Sequence, residues 1–109
     1  MIPRGSVALA ALPGDYGKPR PVLVVQSDIS ADLPSVIVCP LTTTIRPELP
    51  QFRLTITPSE TNGLRVLSQV MIEKPLAVPR DKLRTVIGHL DDTEMRIVTN
   101  GLSVLLAIA

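Results

Sequence analysis

The chain has 109 residues, 45% apolar and 2% aromatic, with a net charge of +1 at pH 7. That length suits one domain with a real core, and the core must be aliphatic because Tyr16 and Phe52 are the only rings. Near-neutral charge excludes the strongly basic footprint of a nonspecific nucleic-acid binder, and the lone Cys39 excludes an intrachain disulfide and a finger-type metal site.

The opening residues Met1-Ile2-Pro3-Arg4-Gly5 lack the apolar run of a signal peptide. No stretch reaches the roughly 18 apolar residues of a membrane span, so the expected compartment is the cytoplasm. Ser6 to Ala11 reads as a first strand, and Leu12 to Gly17 as a loop by its Pro-Gly pair and second glycine. Lys18-Pro19-Arg20-Pro21-Val22-Leu23-Val24-Val25-Gln26 then puts a cation between two prolines ahead of an unbroken apolar run. Such a run predicts a strand buried on both faces, Val22 to Gln26. Pro21 cannot donate to a ladder and belongs at its start. Both prolines bias the residue before them toward extended backbone, which fixes one guanidinium at the lip of the strand. A planar, permanently charged fork suits a phosphate; on this stretch alone, pairing with a carboxylate at a sheet edge is the simpler reading.

Asp28 to Pro34 is polar and reads as a connection. Val36-Ile37-Val38-Cys39 is a third strand closed by Pro40, its thiol expected to be buried, and Leu41-Thr42-Thr43-Thr44 lines up hydroxyls at its end. Phe52 to Ile56 alternates as a half-buried strand does. Pro58 to Gly63 is turn-rich, and Ser68-Gln69 interrupts an apolar stretch whose strand is expected at Val70-Met71-Ile72. Pro75 and Pro79 restrict the next segment to edge or extended structure. Arg80 to Leu83 predicts one helical turn, and Thr85 to Ile87 a short strand.

Asp91 followed three residues later by Glu94 has the form of a capping box. Met95, Val98, Leu102, Leu105 and Ala109 recur at helical spacing with Leu106 widening the face. Gly101 and the β-branched Val98, Thr99 and Val104 lower the propensity, so packing must hold this helix. Many short strands and one terminal helix predict a mainly β fold: a partly open β-barrel with a C-terminal helix. The apolar tail Leu102 to Ala109 exceeds what one sheet face needs, and a dimer interface accounts for the excess.

No phosphate-binding glycine loop, nucleophile elbow or His-Glu-x-x-His motif occurs. His89 reads as a helix-entry residue, and Asp91-Asp92 as capping rather than a metal pair. Two strand-end features remain. If the second and third strands pair antiparallel, Arg20 entering one lies beside Thr42 leaving the other. Guanidinium and hydroxyl then suit a phosphodiester; hydroxyls tied to the turn are an equally good reading.

Arg4-Gly5, Arg20 to Val25, Val36 to Thr42, Ser68 leading to Glu73-Lys74-Pro75, Lys82-Leu83, Ile87 to Leu90 and the terminal helix together resemble the MazF/PemK toxin family, in order and over nearly the whole chain. The resemblance implies one domain over residues 1–109 with an SH3-like, CcdB/PemK-like barrel. It implies a homodimer through sheet and helix, and cleavage of single-stranded RNA without a metal or other cofactor. It also implies restraint by an acidic antitoxin. On it, Arg20 and Thr42 match catalytic positions, and Glu73 is a candidate base if its pocket raises its pKa toward neutrality. RNA contacts are expected from Tyr16, Lys18, Thr43, Thr44 and Lys74. Met71 stands where some relatives have a second arginine, and the first loop is shorter than usual. CcdB-type toxins, which bind DNA gyrase without hydrolysis, share the fold and resemble Val25 to Ile29 and Val38 to Leu41. This chain ends Leu105-Leu106-Ala107-Ile108-Ala109, without their Trp-Gly-Ile, and its retained Arg20 and Thr42 favour the nuclease.

Overall fold

The unbroken apolar run around Leu23 is covered from two sides, as its composition demands. The computed structural model describes residues 2–108; Met1 and Ala109, the last of the helix-spaced positions, lie outside the described residues. Seven strands form the sheet: β1 (Ser6–Ala11), β2 (Pro19–Val24), β3 (Ser35–Thr42), β4 (Arg53–Ile56), β5 (Ser68–Met71), β6 (Leu76–Pro79) and β7 (Leu83–His89). One helix, α1 (Asp92–Leu105), follows. The strand order is β4-β5-β3-β2-β1-β7, all pairings are antiparallel, and β6 pairs with the first half of β3. The sheet curls without closing, the partly open barrel expected from the strand pattern.

Alternation along β1 and β2 feeds two cores. Val7, Leu23, Cys39, Leu41, Val70 and Ile72 pack with Met95 and Val98 of α1. On the other face, Ala8, Ala10, Val22, Val24, Val36, Val38 and Val78 form a second cluster closed by Leu83. Central strands buried on both faces need continuous apolar runs, and β1, β2 and β3 supply them.

Two boundaries that differ from the sequence reading are explained by proline geometry. β2 starts at Pro19, and β3 runs through Pro40 to Thr42 instead of stopping before it. Val25 donates its N–H to the Ile37 carbonyl at 3.2 Å, so odd positions of β2 and β3 address each other and even positions address the outer neighbours. Pro19 and Pro21 therefore lack a donor only where the β2–β3 ladder has ended at Val22. Pro40 faces the opposite edge, in the gap where β3 changes partner from β6 at Val38 to β5 at Leu41. No ladder bond is lost at any of the three, so the sheet tolerates them. β5 spans Ser68–Met71, taking in the polar pair that the sequence reading treated as an interruption.

The capping box forms as expected: Asp91 Oδ1 accepts from the Glu94 N–H at 2.7 Å, and Glu94 Oε1 from the Asp91 N–H at 3.0 Å. Gly101 lowers helix propensity for a reason: a Cβ there would come within 2.9 Å of Ile72 Cγ2, so glycine lets α1 lie close to the sheet. The helix end stays uncovered, with Leu106 56% and Ile108 75% exposed.

Candidate active site

Register brings the strand-end residues together. Val22 pairs with Pro40, and extending that register by two residues sets Arg20 opposite Thr42. Arg20 pairs on its other side with Ala10, Thr42 with Gln69, and Gln69 with Thr55. Paired residues share a face of a sheet, so Ala10, Arg20, Thr42, Gln69 and Thr55 form one cross-strand row. Above it opens a cavity of about 370 Å³ lined by Arg20, Thr42, Thr43, Thr44, Asp15 and Met71, with Leu12, Pro21, Pro40, Leu41 and Ser68 completing its walls.

Two polar contacts define its chemistry. Arg20 Nε lies 3.5 Å from Asp15 Oδ2, with the guanidinium side chain 45% exposed. The carboxylate-paired reading of Arg20 is thus met in part: the pair is long and solvent-facing, a geometry that contributes about 0–1 kcal/mol and leaves the fork open to an anion. Thr42 Oγ1 accepts the Thr44 N–H at 3.1 Å. The hydroxyl is tied to its turn as an acceptor, which leaves its own proton for a second oxygen. Asp15 is a residue that the sequence reading missed; its one signal was a carboxylate in the loop five residues before Arg20.

Glu73 does not line this cavity, and the condition set for it as a base, a pKa raised toward neutrality, is not met: its shift is downward. Burial pushes its carboxyl up, but hydrogen bonds from Arg53 and its own backbone, with the charges of Arg53 and Lys74, outweigh that and hold it below the ordinary 4.5. Arg53 grips it through Nε at 2.8 Å and Nη2 at 2.7 Å, with the Arg53 side chain only 5% exposed. A carboxylate so held is a weaker proton acceptor than a free one. Because the folded-state pKa is depressed, the pair stabilises the fold above the unfolded carboxylate value, and that contribution is lost as pH falls through the folded one. Glu73→Gln is expected to cost about 2 kcal/mol at pH 7, short of a fully buried pair, and to converge with wild type in acid. Urea titrations at several pH values check this. Burial, with the Glu73 charge added, pushes the Cys39 thiol up to about 12, and the side chain is fully enclosed as expected.

Thr43 and Thr44 line the cavity, whereas Lys18, Tyr16 and Lys74 are exposed residues outside its walls. Tyr16 stands fully in solvent at the tip of the β1–β2 loop, in the left-handed region at φ 53°.

Against known proteins, residues 3–106 match the family model described as PemK-like, MazF-like toxin of type II toxin-antitoxin system. The chain belongs to the PemK/MazF toxin family. A probable endoribonuclease MazF of Mycolicibacterium smegmatis is 41% identical over 107 residues, covering 97% of each chain. Among solved structures, an endoribonuclease in complex with its cognate antitoxin from a mycobacterial species superposes with a TM-score of 0.81 at 22% identity, over 98% of this chain and 96% of that one. The Mycobacterium tuberculosis toxin MazF-mt6 gives 0.78 at 25% identity, over 94% and 96%. These likenesses agree with the expected family and fold. Among the described residues, no helix is long and apolar enough to cross a membrane.

Proposed function

We propose that this chain is the toxin of a type II toxin–antitoxin pair and cleaves single-stranded RNA at the cavity between β2 and β3. The observation that carries this reading is the placement of Arg20 and Thr42 in one cross-strand row facing one cavity, in a chain of this family. RNA supplies its own nucleophile: the 2′-hydroxyl loses its proton, its oxygen bonds to the adjacent phosphorus, and the bond to the 5′-oxygen breaks. Asp15, the carboxylate of the cavity, takes the 2′-hydroxyl proton, and water protonates the departing 5′-oxygen. Arg20 neutralises the charge that develops on the non-bridging oxygens, and Thr42 donates its hydroxyl proton to one of them. The products are a 2′,3′-cyclic phosphate and a free 5′-hydroxyl.

An acidic antitoxin segment suits a site whose cation, Arg20, is half exposed and only loosely paired with Asp15. A solved Deinococcus radiodurans MazE–MazF complex, at 17% identity, shares the fold. A second copy is the partner assigned to the apolar end of α1, where Leu102 and Leu106 with Val25, Ile37 and Leu76 line a shallow cleft. The gyrase-binding alternative is not favoured, since the family match runs over residues 3–106.

The test is incubation of purified protein with a long single-stranded RNA and mapping of both new termini. Cleavage at a short recurring motif, unchanged by EDTA and leaving cyclic phosphate ends, is expected. Loss in EDTA with rescue by a divalent ion, or gyrase capture without cleavage, would replace this reading.

A further inference from the structure

We propose that Gln69 is a positioning residue for the reaction, clamping both ends of the turn that presents the Thr42 hydroxyl. The inference rests on the role given to Thr42 above. Gln69 is 3% exposed, the longer side chain of the buried polar pair Ser68-Gln69 that opens β5. Its backbone is the ladder partner of Thr42. Its side-chain Oε1 accepts the N–H of Arg46 at 3.0 Å, at the other end of the turn. One residue therefore holds position 42 through its main chain and position 46 through its side chain.

Among the described residues, no other hydrogen bond reaches this turn from outside its loop. Residues 43 to 46 are all exposed, so packing does not set their conformation. Their remaining hydrogen bonds are local: Thr44 N–H to Thr42 Oγ1 at 3.1 Å and Leu49 N–H to the Arg46 carbonyl at 3.4 Å. Since the Thr44 amide is what orients the Thr42 hydroxyl, slack at Arg46 reaches the reacting oxygen through two residues of chain.

The carboxamide is itself oriented. Arg46 N–H and Arg53 Nη1, the latter at 3.4 Å, are both donors and demand the oxygen on their side; Nε2 donates to Thr55 Oγ1 at 3.1 Å. Arg53 is fixed in turn by Glu73. The buried polar cluster is satisfied throughout, as the interior requires, and it ends on the turn beside the cavity. Glu73 thus serves the site from behind, through Arg53 and Gln69.

The experiment is a double-mutant cycle read by single-turnover cleavage of an RNA whose cut sites the wild type has mapped. Gln69→Met keeps the volume and removes the acceptor. It is expected to lower the cleavage rate about 10–100-fold, the range for a small misplacement at a reacting centre, with the half-saturating RNA concentration within about twofold. In a Thr42→Ala background the same change is expected to cost nothing further. Gln69→Glu, which still offers oxygen to Arg46 and Arg53, restores the rate. If Gln69→Met does not fold, Thr55→Val loosens the same carboxamide and carries the cycle. A wild-type rate for the folded variant, or an equal loss in both backgrounds, overturns the clamp while leaving the site reading intact. A wild-type rate for Thr42→Ala alone removes the site reading and the clamp with it.

Discussion

Arg20→Ala is expected to lower the rate of RNA cleavage about 10²–10³-fold while leaving the melting temperature within a degree or two. The magnitude follows from its role: removing one preorganised donor to a developing anionic charge typically costs about that much. The indifference of the fold follows from its surroundings. The guanidinium is 45% exposed and its one ion-pair partner, Asp15, lies at 3.5 Å, so little stability depends on it. Arg20→Lys separates charge from geometry. A lysine keeps the positive charge but loses the planar fork that engages two phosphate oxygens at once, and an intermediate loss of about tenfold is expected. Asp15→Asn tests the other half of the pair. If Asp15 takes the 2′-hydroxyl proton, the cleavage rate falls more than tenfold with RNA binding little changed. Tighter RNA binding with an unchanged rate would instead make Asp15 a competitor for Arg20, and the base assignment would be withdrawn. An Arg20→Ala variant that cleaves like wild type ends the site assignment altogether.

How much of this was legible beforehand depends on how far apart in sequence the interacting groups lie. The doubly covered strands were readable because burial on both faces leaves an unbroken apolar run, as at Val22 to Val25. The start of α1 was readable because a capping box is complete within four residues. The meeting of Arg20 and Thr42 was conditional on one antiparallel pairing, which the structure supplies at Val22 and Pro40. Glu73 was misjudged for the opposite reason. Its environment is set by Arg53, twenty residues earlier, and nothing local to Glu73-Lys74-Pro75 announces a buried cation. Gln69 did leave a local trace, as half of a polar pair beside an apolar run, but its partners Arg46, Arg53 and Thr55 sit on other segments. From sequence alone Pro40 reads as a stop, because its harmlessness depends on which edge of β3 it faces and where β6 gives way to β5. Asp15 lay in a loop whose glycines predicted a turn but not which side chain would face the cavity.

The largest expected loss of stability, at Gly63, also comes from a contact distant in sequence. Its φ of +70° is in the left-handed region, and a Cβ there would overlap the Ile87 carbonyl oxygen on β7. The collision cannot be relieved by rotating a side chain, because the obstacle is main chain. The loop that carries Gly63 cannot easily step back either. Asn62, 4% exposed, accepts from Ser59 and Leu64 N–H groups at 3.0 Å each and donates to the Thr57 carbonyl at 2.9 Å. His89 N–H then bonds the Thr61 carbonyl at 2.9 Å, and the bare face of Gly88 lies against Asn62. Gly63→Ala combines about 1–2 kcal/mol for the left-handed backbone with about 1–3 kcal/mol for overpacking. A loss of about 3–4 kcal/mol is expected, a fall in melting temperature on the order of 15–25 °C for a domain of this size. Gly14→Ala is the control: its φ is +86°, yet nothing lies within 4 Å of the added carbon, so it bears the backbone cost alone. Equal losses at the two positions would show that the Gly63 contact with β7 contributes nothing. A larger loss at Gly63 would mark the junction of the 57–64 loop with β7 as the point that fixes the barrel's open edge.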